Sequence, residues 1–237
     1  MLLLAALGVG ALLFMHTGPA PFLLEASRPD DTLWHVPADP AARSIFLTYD
    51  DGPNPTATPQ LLDVLRQEGA AATFFLIDDH LTEDTAPLVR RMFAEGHAVA
   101  LHSNERWLML NTPEHIVEAL QRAADRVERL AGSRPCALFR PHAGWRSAAM
   151  YEALDSLDYR LAGWSWGSWD WNWGNTRDPA AIAERLARNA DAGDVIVIHD
   201  GHHIDPQADR RYAVEATAML VPALRAKQLR PERLPCG

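Results

Sequence analysis

Short runs of apolar, β-branched and aromatic residues alternate along this chain with longer stretches in which apolar residues recur three and four positions apart. The first pattern is typical of buried strands, and the second of amphipathic helices. We predict strands over residues 44–49, 71–77, 98–101, 137–140, 159–163 and 195–198. We predict helices over residues 58–68, 85–95, 113–130, 147–157, 179–192 and 210–227. Consecutive βα units of this kind indicate an α/β fold with a single parallel sheet.

Polar residues stand at the C-terminal ends of most of these predicted strands. Because those ends converge on one face of a βα barrel, where the active sites of this architecture lie, we expect the side chains to form one site. The sequence therefore predicts a distorted (β/α) barrel with a functional site at that face. The residues concerned are Asp50, Asp51, His102, Arg140, Asp170, His199 and Asp200.

The composition divides the chain into three segments. Residues 1–18 include an apolar run from Leu2 to Met15, which is shorter than the roughly 20 residues that span a bilayer and suits the core of a signal peptide. We expect export or membrane anchoring, with the protein facing the cell envelope or periplasm; the alternative is an apolar helix that lies on the domain. Residues 19–42 have the composition of a linker, and residues 43–237 form the predicted folded domain.

The net charge limits the class of binding partner, and the cysteines bear on the redox state of the compartment. A net charge of −9 and an isoelectric point near 5.5 leave no basic face for a phosphate backbone, so we expect no nucleic-acid partner. A neutral or cationic substrate fits this charge better. Cys136 and Cys236 could form one bridge in an oxidising compartment, but we expect Cys136 to be a small buried apolar residue, which is the commoner case.

Five short motifs follow one another along the domain. Residues 48–53 read TYDDGP, and on their own the two adjacent carboxylates would equally suit an ordinary Asp-Gly turn. Residues 102–106 read HSNER, residues 140–144 RPHAG, residues 170–171 DW and residues 197–199 VIH. Together and in this order, they resemble the motifs of the polysaccharide deacetylase family, the carbohydrate esterase family 4 type with a NodB homology domain. The resemblance covers nearly all of the chain beyond the leader and implies a NodB-like barrel.

The resemblance also implies a role for the matched residues. Asp50 corresponds to the general base and Asp51 to a metal ligand. Arg140 corresponds to the arginine that holds the base carboxylate. His199 corresponds to the general acid, and Asp170 is expected to hold its imidazole and to favour the charged form.

Two further positions are expected to contact the substrate. Ala143 stands where a tyrosine is common in the family, so a main-chain N–H of this loop is expected to serve the oxyanion, while an aromatic contact with the sugar is lost. Trp171 lies in a segment that is dense in tryptophan and is expected to contact the sugar. Trp164 and Trp166 of the same segment are expected to pack into the barrel or against its helices.

The second motif departs from the family pattern, which has two histidines four positions apart on one helical face. Here Arg106 takes the second position, and its protonated guanidinium cannot ligate a cation. The implied cofactor is Zn²⁺ or another divalent transition metal, held by Asp51, His102 and an uncertain third ligand. The candidates for the third ligand are Glu105, His142 and His202. Alternatively, the site has lost both metal and turnover.

The function that the resemblance implies is that of a metal-dependent hydrolase. It would remove N-acetyl groups from a polysaccharide that contains N-acetylglucosamine, such as peptidoglycan or chitin, and no protein partner is predicted. One alternative is a glycan-binding barrel that has lost its metal. Another is a glycoside hydrolase that uses Asp50 and Asp170, which would have to lie about 5 to 9.5 Å apart across the scissile bond. The retained His199 and Arg140 favour amide chemistry.

Overall fold

A curled parallel sheet forms the centre of the fold in the computed structural model, which describes residues 32–37, 41–170 and 177–236. Its strands are β1 (Thr32–Leu33), β2 (Ser44–Gly52), β3 (Thr73–Leu76), β4 (Ala98–Leu101), β5 (Leu138–Phe139), β6 (Arg160–Ala162), β7 (Trp166–Gly167), β8 (Val195–His199) and β9 (Arg230–Glu232). They lie in the order β1-β6-β5-β4-β3-β2-β8-β7, and β9 pairs with the start of β2. The sheet is therefore an open, curled half-barrel whose edge strands are β1 and β7.

Helices connect the strands and cover the sheet. They are α1 (Ala57–Gln67), α2 (Ala86–Ala94), α3 (Pro113–Ala131), α4 (Ala148–Leu157), α5 (Pro179–Asn189) and α6 (Arg211–Ala226). The longest, α3, begins after Thr112, whose hydroxyl accepts the N–H of His115, and ends at Gly132 with a left-handed φ of 77°. Both are standard helix-end signals. The apolar faces of these helices form one core with the sheet.

Strand β2 is an interior strand of the sheet and carries the two acidic residues of the first motif. All of its residues are buried, because it lies between β3 and β8 and both faces are covered. Asp50 lies opposite His199 in the register with β8. The register with β3 shifts between Asp50 and Gly52, and Asp51 has a left-handed φ of 69°. The two neighbouring carboxylates consequently have different partners.

The structure confirms the predicted fold class, and all six predicted strands and six predicted helices occur, with ends that differ by three residues or fewer. Strands β1, β7 and β9 are additional. Each has only two or three residues, which is too short for a periodic pattern to show. Thr32 of β1 pairs with Leu161 of β6, so the folded part extends into the segment predicted as a linker. Residues 1–18, the predicted leader, lie outside the described residues.

The chain end is fastened to the body of the domain. Cys136 and Cys236 form a disulfide with Cα atoms 5.0 Å apart, so the expectation of an unbridged Cys136 is wrong. The N–H of Leu234 also donates to the Thr73 hydroxyl at 2.8 Å. Pairing of β9 with β2 brings the C-terminal segment to this place, which the sequence pattern does not reveal. Within the described ranges, the helices are too short or too polar to cross a membrane.

Candidate active site

Three buried side chains from different elements converge at the C-terminal edge of the sheet. Asp51 lies at the end of β2, His102 follows β4 and His142 follows β5. One possible ligand atom from each lies within 4.8 Å of the others. A carboxylate with two imidazoles is a common donor set for Zn²⁺ and for other divalent transition metals. These three residues could therefore hold such an ion.

Main-chain carbonyl groups orient the two imidazoles. Nδ1 of His102 donates to the Arg140 carbonyl oxygen at 2.6 Å, and Nε2 of His142 donates to the Ser103 carbonyl oxygen at 2.8 Å. Metal-ligating histidines usually donate their other ring N–H in this way, which fixes the tautomer. The nitrogens left to ligate a cation are Nε2 of His102 and Nδ1 of His142.

Asp51 supplies the negative charge of this group. Its Oδ1 is buried 3.2 Å from Nε2 of His102 and forms no well-aligned hydrogen bond within the described residues. Burial raises the pKa of the Asp51 carboxyl, but the adjacent His102 imidazole outweighs burial and holds the pKa well below its ordinary value. A buried carboxylate oxygen without a well-aligned hydrogen bond is unfavourable, and a cation bound between it and the imidazole nitrogen would satisfy it. The residues thus fit a metal ion.

Asp50, the second carboxylate of the motif, is held by an arginine. Nη1 of Arg140 donates to Oδ1 of Asp50 at 2.6 Å and to the Thr48 hydroxyl at 2.8 Å. Nη2 of Arg140 donates to the Gly163 carbonyl oxygen at 2.7 Å. The guanidinium is fully buried, 4.0 Å from the centre of the Phe75 ring. These contacts fix the position of the Asp50 carboxylate, which lines the cleft beside the three possible ligands.

His199 and Asp170 form a second ion pair at the same edge. Oδ1 of Asp170 lies 2.7 Å from Nδ1 of His199, and Oδ2 accepts the main-chain N–H of His199 at 2.9 Å. Burial lowers the pKa of His199, but the charge of Asp170 outweighs it and raises the pKa to about 9. Burial raises the pKa of Asp170, but the charge of His199 outweighs it and lowers the pKa to about 2. His199 is therefore protonated near neutral pH and can donate a proton.

Sequence reasoning missed the residues that hold Asp170. Tyr212, in the first turn of α6, donates its hydroxyl to Oδ2 of Asp170 at 3.1 Å, and the Ser168 hydroxyl donates to Oδ1. Arg210 in turn donates to the Tyr212 hydroxyl. The helical spacing of apolar residues places Tyr212 on the buried face of α6, but it does not distinguish a tyrosine that only packs from one that also donates a hydrogen bond.

The loop after β8 approaches the end of β2 closely. The N–H of Gly201 donates to the Asp50 carbonyl oxygen at 3.2 Å, and a Cβ at this position would lie 1.9 Å from the Asp51 carbonyl oxygen. Any other residue would displace the strand end that carries both carboxylates. The neighbouring Asp200 is buried and accepts the Thr58 hydroxyl at 2.5 Å, and burial raises its pKa to about 7. The sequence pattern placed Asp200 at a strand end without a chemical role and did not single out Gly201.

Glu105, one of the three candidates for the third ligand, is bonded elsewhere. Its carboxylate lies 2.7 Å from Nε2 of His115 and 3.2 Å from Nη2 of Arg122. Both partners lie on α3. The short spacing to His102 that suggested Glu105 as a ligand assumes a helical turn, but residues 102–106 form no helix. Glu105 is consequently absent from the group of possible ligands.

Arg106 and the histidines after β8 lie at the mouth of the cleft. Nη1 of Arg106 donates to Nε2 of His203 at 3.0 Å, and the ring of His202 lies 4.7 Å from that of His203. His202 is not part of the group of possible ligands in the described residues. Of the three candidates, the structure places His142 beside Asp51 and His102.

Strained backbone occurs next to each element of the site. Positive φ angles occur at Asp51 (69°), Ser103 (63°), Ala143 (53°) and Trp169 (60°). Left-handed conformations of non-glycine residues each cost roughly 1–3 kcal/mol and concentrate at functional sites. The φ angle of Asp51 sets the direction of its own side chain. The other three strained residues are the sequence neighbours of His102, His142 and Asp170.

The site lies in one cleft of about 510 Å³. The catalytic candidates and possible ligands that line it are Asp50, Asp51, His102, His142 and His199. Ala143 lines it, at the position predicted to contact the substrate. Trp164, expected to pack into the barrel, also lines the cleft while its ring lies edge-on to Trp34 at 5.8 Å. Trp166, expected to be packed, is 40% exposed. Trp171, the other predicted substrate contact, lies outside the described residues.

Asp170 does not face the cleft. It is 1% exposed, is bonded behind His199 and is absent from the residues that line the described cleft. The paired carboxylates of glycoside hydrolases must both face the scissile bond. The geometry therefore does not support the glycoside hydrolase hypothesis for Asp50 and Asp170.

Comparison with known proteins shows similarity to deacetylases of glycans. A family model described as polysaccharide deacetylase matches residues 38–162. The chain is 32% identical over 197 residues to a peptidoglycan-N-acetylglucosamine deacetylase of Bacillus cereus, covering 83% of this chain and 88% of the relative. It is 32% identical over 190 residues to a chitooligosaccharide deacetylase of Sinorhizobium fredii, covering 77% and 86%. A solved structure of a peptidoglycan N-acetylglucosamine deacetylase aligns with a TM-score of 0.75 at 26% identity, covering 92% of this chain and 96% of the other.

Proposed function

This chain belongs to the polysaccharide deacetylase family, and from that premise we propose that it hydrolyses the acetamide groups of a glycan that contains N-acetylglucosamine. Peptidoglycan and chitin-like oligosaccharides are the substrates named for the relatives. The observation that carries the proposal is the group formed by Asp51, His102 and His142, with one ligand atom of each within 4.8 Å of the others. It lies in the same cleft as a fixed carboxylate and a protonated histidine.

We propose Zn²⁺ as the cation, held by Asp51, His102 and His142, with another divalent transition metal as the alternative. The donor set of one carboxylate and two imidazoles is that of many catalytic zinc sites, which leave one position open for water or substrate. When bound, such a cation lowers the pKa of water toward neutrality and polarises a carbonyl group.

Asp50 is placed to act as the general base. Its carboxylate lines the cleft and is oriented by its 2.6 Å contact with Arg140. It therefore accepts the proton of the water that attacks the acetamide carbon. Arg140 touches no substrate in this scheme; it positions Asp50.

His199 is placed to act as the general acid. It lines the cleft, and Asp170 keeps its imidazole protonated. As the carbon–nitrogen bond breaks, His199 gives its proton to the leaving amine, so that acetate and a free amino sugar result. We propose that a main-chain N–H of the loop at Ala143 stabilises the developing oxyanion, a contribution of about 3 to 4 kcal/mol per donor in hydrolases.

We propose that the protein is exported or membrane-anchored and acts in the cell envelope. The apolar run within residues 1–18 and the disulfide between Cys136 and Cys236 support this location, because disulfides persist in oxidising compartments. Fractionation of cells that express the full chain, with non-reducing electrophoresis, would test it. Recovery of the protein in the cytosol with reduced cysteines would contradict it.

Acetate release from N-acetylglucosamine tetramers and from peptidoglycan is the direct test of the activity. We expect release by protein loaded with Zn²⁺, loss after chelation, and recovery when Zn²⁺ is returned. Folded, zinc-loaded protein that releases no acetate from either substrate would overturn the proposal. If that protein bound the glycans equally well with and without chelator, the glycan-binding alternative suggested by Arg106 would replace it.

A further inference from the structure

The charges of the cleft differ in sign from the charge of the whole molecule. The chain carries a net charge of −9, but the cleft carboxylates are already engaged. Asp50 is paired with Arg140, and Asp51 belongs to the proposed ligand group. Arg106 and Arg177 also line the cleft, and within the described residues neither forms an ion pair with a carboxylate.

Arg106 forms no ion pair with a carboxylate among the described residues. Its Nη1 donates to the neutral acceptor Nε2 of His203 at 3.0 Å. The nearest acidic residue along the chain, Glu105, is turned to His115 and Arg122. A guanidinium presents five N–H donors in a planar fork, so donors remain for a ligand.

Arg177 adds a second cation without an acidic partner in the described part of the chain. Its Nε donates to the main-chain oxygen of Asp170 at 3.2 Å, and its guanidinium lies 5.5 Å from the Tyr212 ring. Neither contact neutralises its charge. Both side chains are exposed where they line the cleft, so each presents a positive charge there that a ligand can reach.

The loop that carries Arg106 is fixed on both sides. The N–H of Asn104 donates to Oδ1 of Asp78 at 3.1 Å, and the Asn104 amide donates to Asp79. The Ser103 carbonyl oxygen accepts from His142, and Glu105 is fastened to α3. Because the backbone is already ordered, a ligand that pairs with Arg106 incurs little of the entropy cost of ordering that loop.

We propose that Arg106 binds a carboxylate of the substrate, so that the preferred glycan carries an acidic group close to the acetamide that is hydrolysed. This inference rests on the proposed function and deepens it. Guanidinium and carboxylate form bidentate, charge-assisted hydrogen bonds. The lactyl carboxylate of N-acetylmuramic acid has this chemistry, and neutral chitin lacks it. This proposal differs from the expectation of a neutral or cationic substrate, which rests on the net charge alone.

The test compares two tetrasaccharides of alternating N-acetylglucosamine and N-acetylmuramic acid, one with free carboxylates and one with the carboxylates converted to primary amides. We expect the wild-type protein to prefer the free acid in kcat/KM by about tenfold, mainly through KM, the size of effect that one charge-assisted pair supplies. Arg106→Gln should lose most of this preference, and Arg106→Lys should keep part of it. Mass spectrometry of the products shows which sugar loses its acetyl group, and so whether the carboxylate belongs to that sugar or to its neighbour.

Arg188→Gln is the matched control, because it removes the same charge from an exposed residue on α5 that pairs with Glu184 at 3.4 Å. It should retain the wild-type preference. A wild-type protein without preference, or Arg106→Gln with the preference intact, would overturn the role of Arg106. A purely structural role in holding His203 would change both substrates alike. If neither substrate released acetate, the proposed function would fail, whereas calorimetric affinities for the acid and the amide would still decide the role of Arg106.

Discussion

At the scale of single residues, His142 is the third member of the possible metal-ligand group. In the family pattern, the corresponding ligand is a second histidine four positions after the first. The usual second histidine is replaced by Arg106, and His142 reaches Asp51 and His102 from the loop after β5. Its ring lies 4.2 Å from that of His102, centre to centre. A cation requires donor atoms at suitable positions in space and sets no condition on sequence spacing. Position 106 can therefore carry a residue that is not a metal ligand.

Replacing His142 should remove the proposed ion. We expect His142→Ala to weaken Zn²⁺ affinity by more than about 100-fold, because loss of a residue that only supports a ligand already costs 10- to 100-fold. Competition with a chromogenic chelator measures this without reference to activity. Glu105→Gln is the control, since Glu105 is bonded to His115 and Arg122, and it should bind Zn²⁺ as the wild type does. The opposite ranking of the two variants would restore Glu105 as the third ligand.

The His199–Asp170 pair should set the alkaline limb of the pH–rate profile. The pKa of His199 is raised to about 9, so the proton-donating form is present below that pH and is lost as the pH rises through it. A bound divalent cation would lower the pKa of His199 and so move this limb to a lower pH. We expect Asp170→Asn to shift it further toward the ordinary histidine value of about 6.5, because the amide carries no charge. An alkaline limb of kcat/KM that stays in place in this variant would contradict the assignment.

At the scale of elements, α6 supports the catalytic edge from behind. Its first turn supplies the hydroxyl of Tyr212 to Asp170 at 3.1 Å, and further along, Thr217 bonds the Tyr49 hydroxyl of β2 at 2.9 Å. Helix α6 thus holds both Asp170 and the strand that carries Asp50 and Asp51 in place.

Removing the hydroxyl of Tyr212 or of Tyr49 should distinguish an effect on stability from an effect on catalysis. Tyr49→Phe deletes one buried hydrogen bond and should lower the free energy of unfolding by about 0.5–1.5 kcal/mol, measured by denaturant titration. Tyr212→Phe deletes two, one to Asp170 and one from Arg210, and should lower it by about 1–3 kcal/mol. Only Tyr212→Phe should also move the alkaline limb of the pH–rate profile, because only its hydroxyl contacts Asp170. If both variants shifted the limb equally, the effect would come from general loosening of α6.

At the scale of the whole molecule, the disulfide closes the domain. It joins the turn before β5 to the segment after β9, 100 residues apart in sequence. Nearby, β9 pairs in parallel with the start of β2. The bridge lies at the opposite end of the strands from the catalytic cleft, since Cys136 precedes β5 and His142 follows it.

The bridge should stabilise the fold without contributing to the chemistry. We expect the double variant Cys136→Ser with Cys236→Ser to lose about 2–5 kcal/mol of unfolding free energy, because the unfolded chain is no longer constrained. Thermal or denaturant unfolding measures this. Acetate release by the folded variant should equal that of the wild type at a temperature where both are native. Equal stability of the oxidised wild type and the variant would be the contradictory result.

The sequence by itself determined the order of βα units, the family and the placement of polar residues at strand ends. These features are local: buried strands and amphipathic helices have their own periodicities, and a strand's end is adjacent to the strand. Asp50, Asp51, His102, Arg140 and His199 could therefore be assigned to one edge before the fold was known.

Only the tertiary structure decided which side chains from distant segments of the chain meet. It turned Glu105 toward α3, brought His142 to Asp51, fastened Asp170 to Tyr212 and joined Cys136 to Cys236. Each of these contacts joins side chains from different loops or helices, whose separation depends on how strands pack side by side. The spacing of residues along the sequence does not give the distances between these side chains. The net charge likewise does not reveal that the cleft of an acidic protein contains arginines without acidic partners in the described residues.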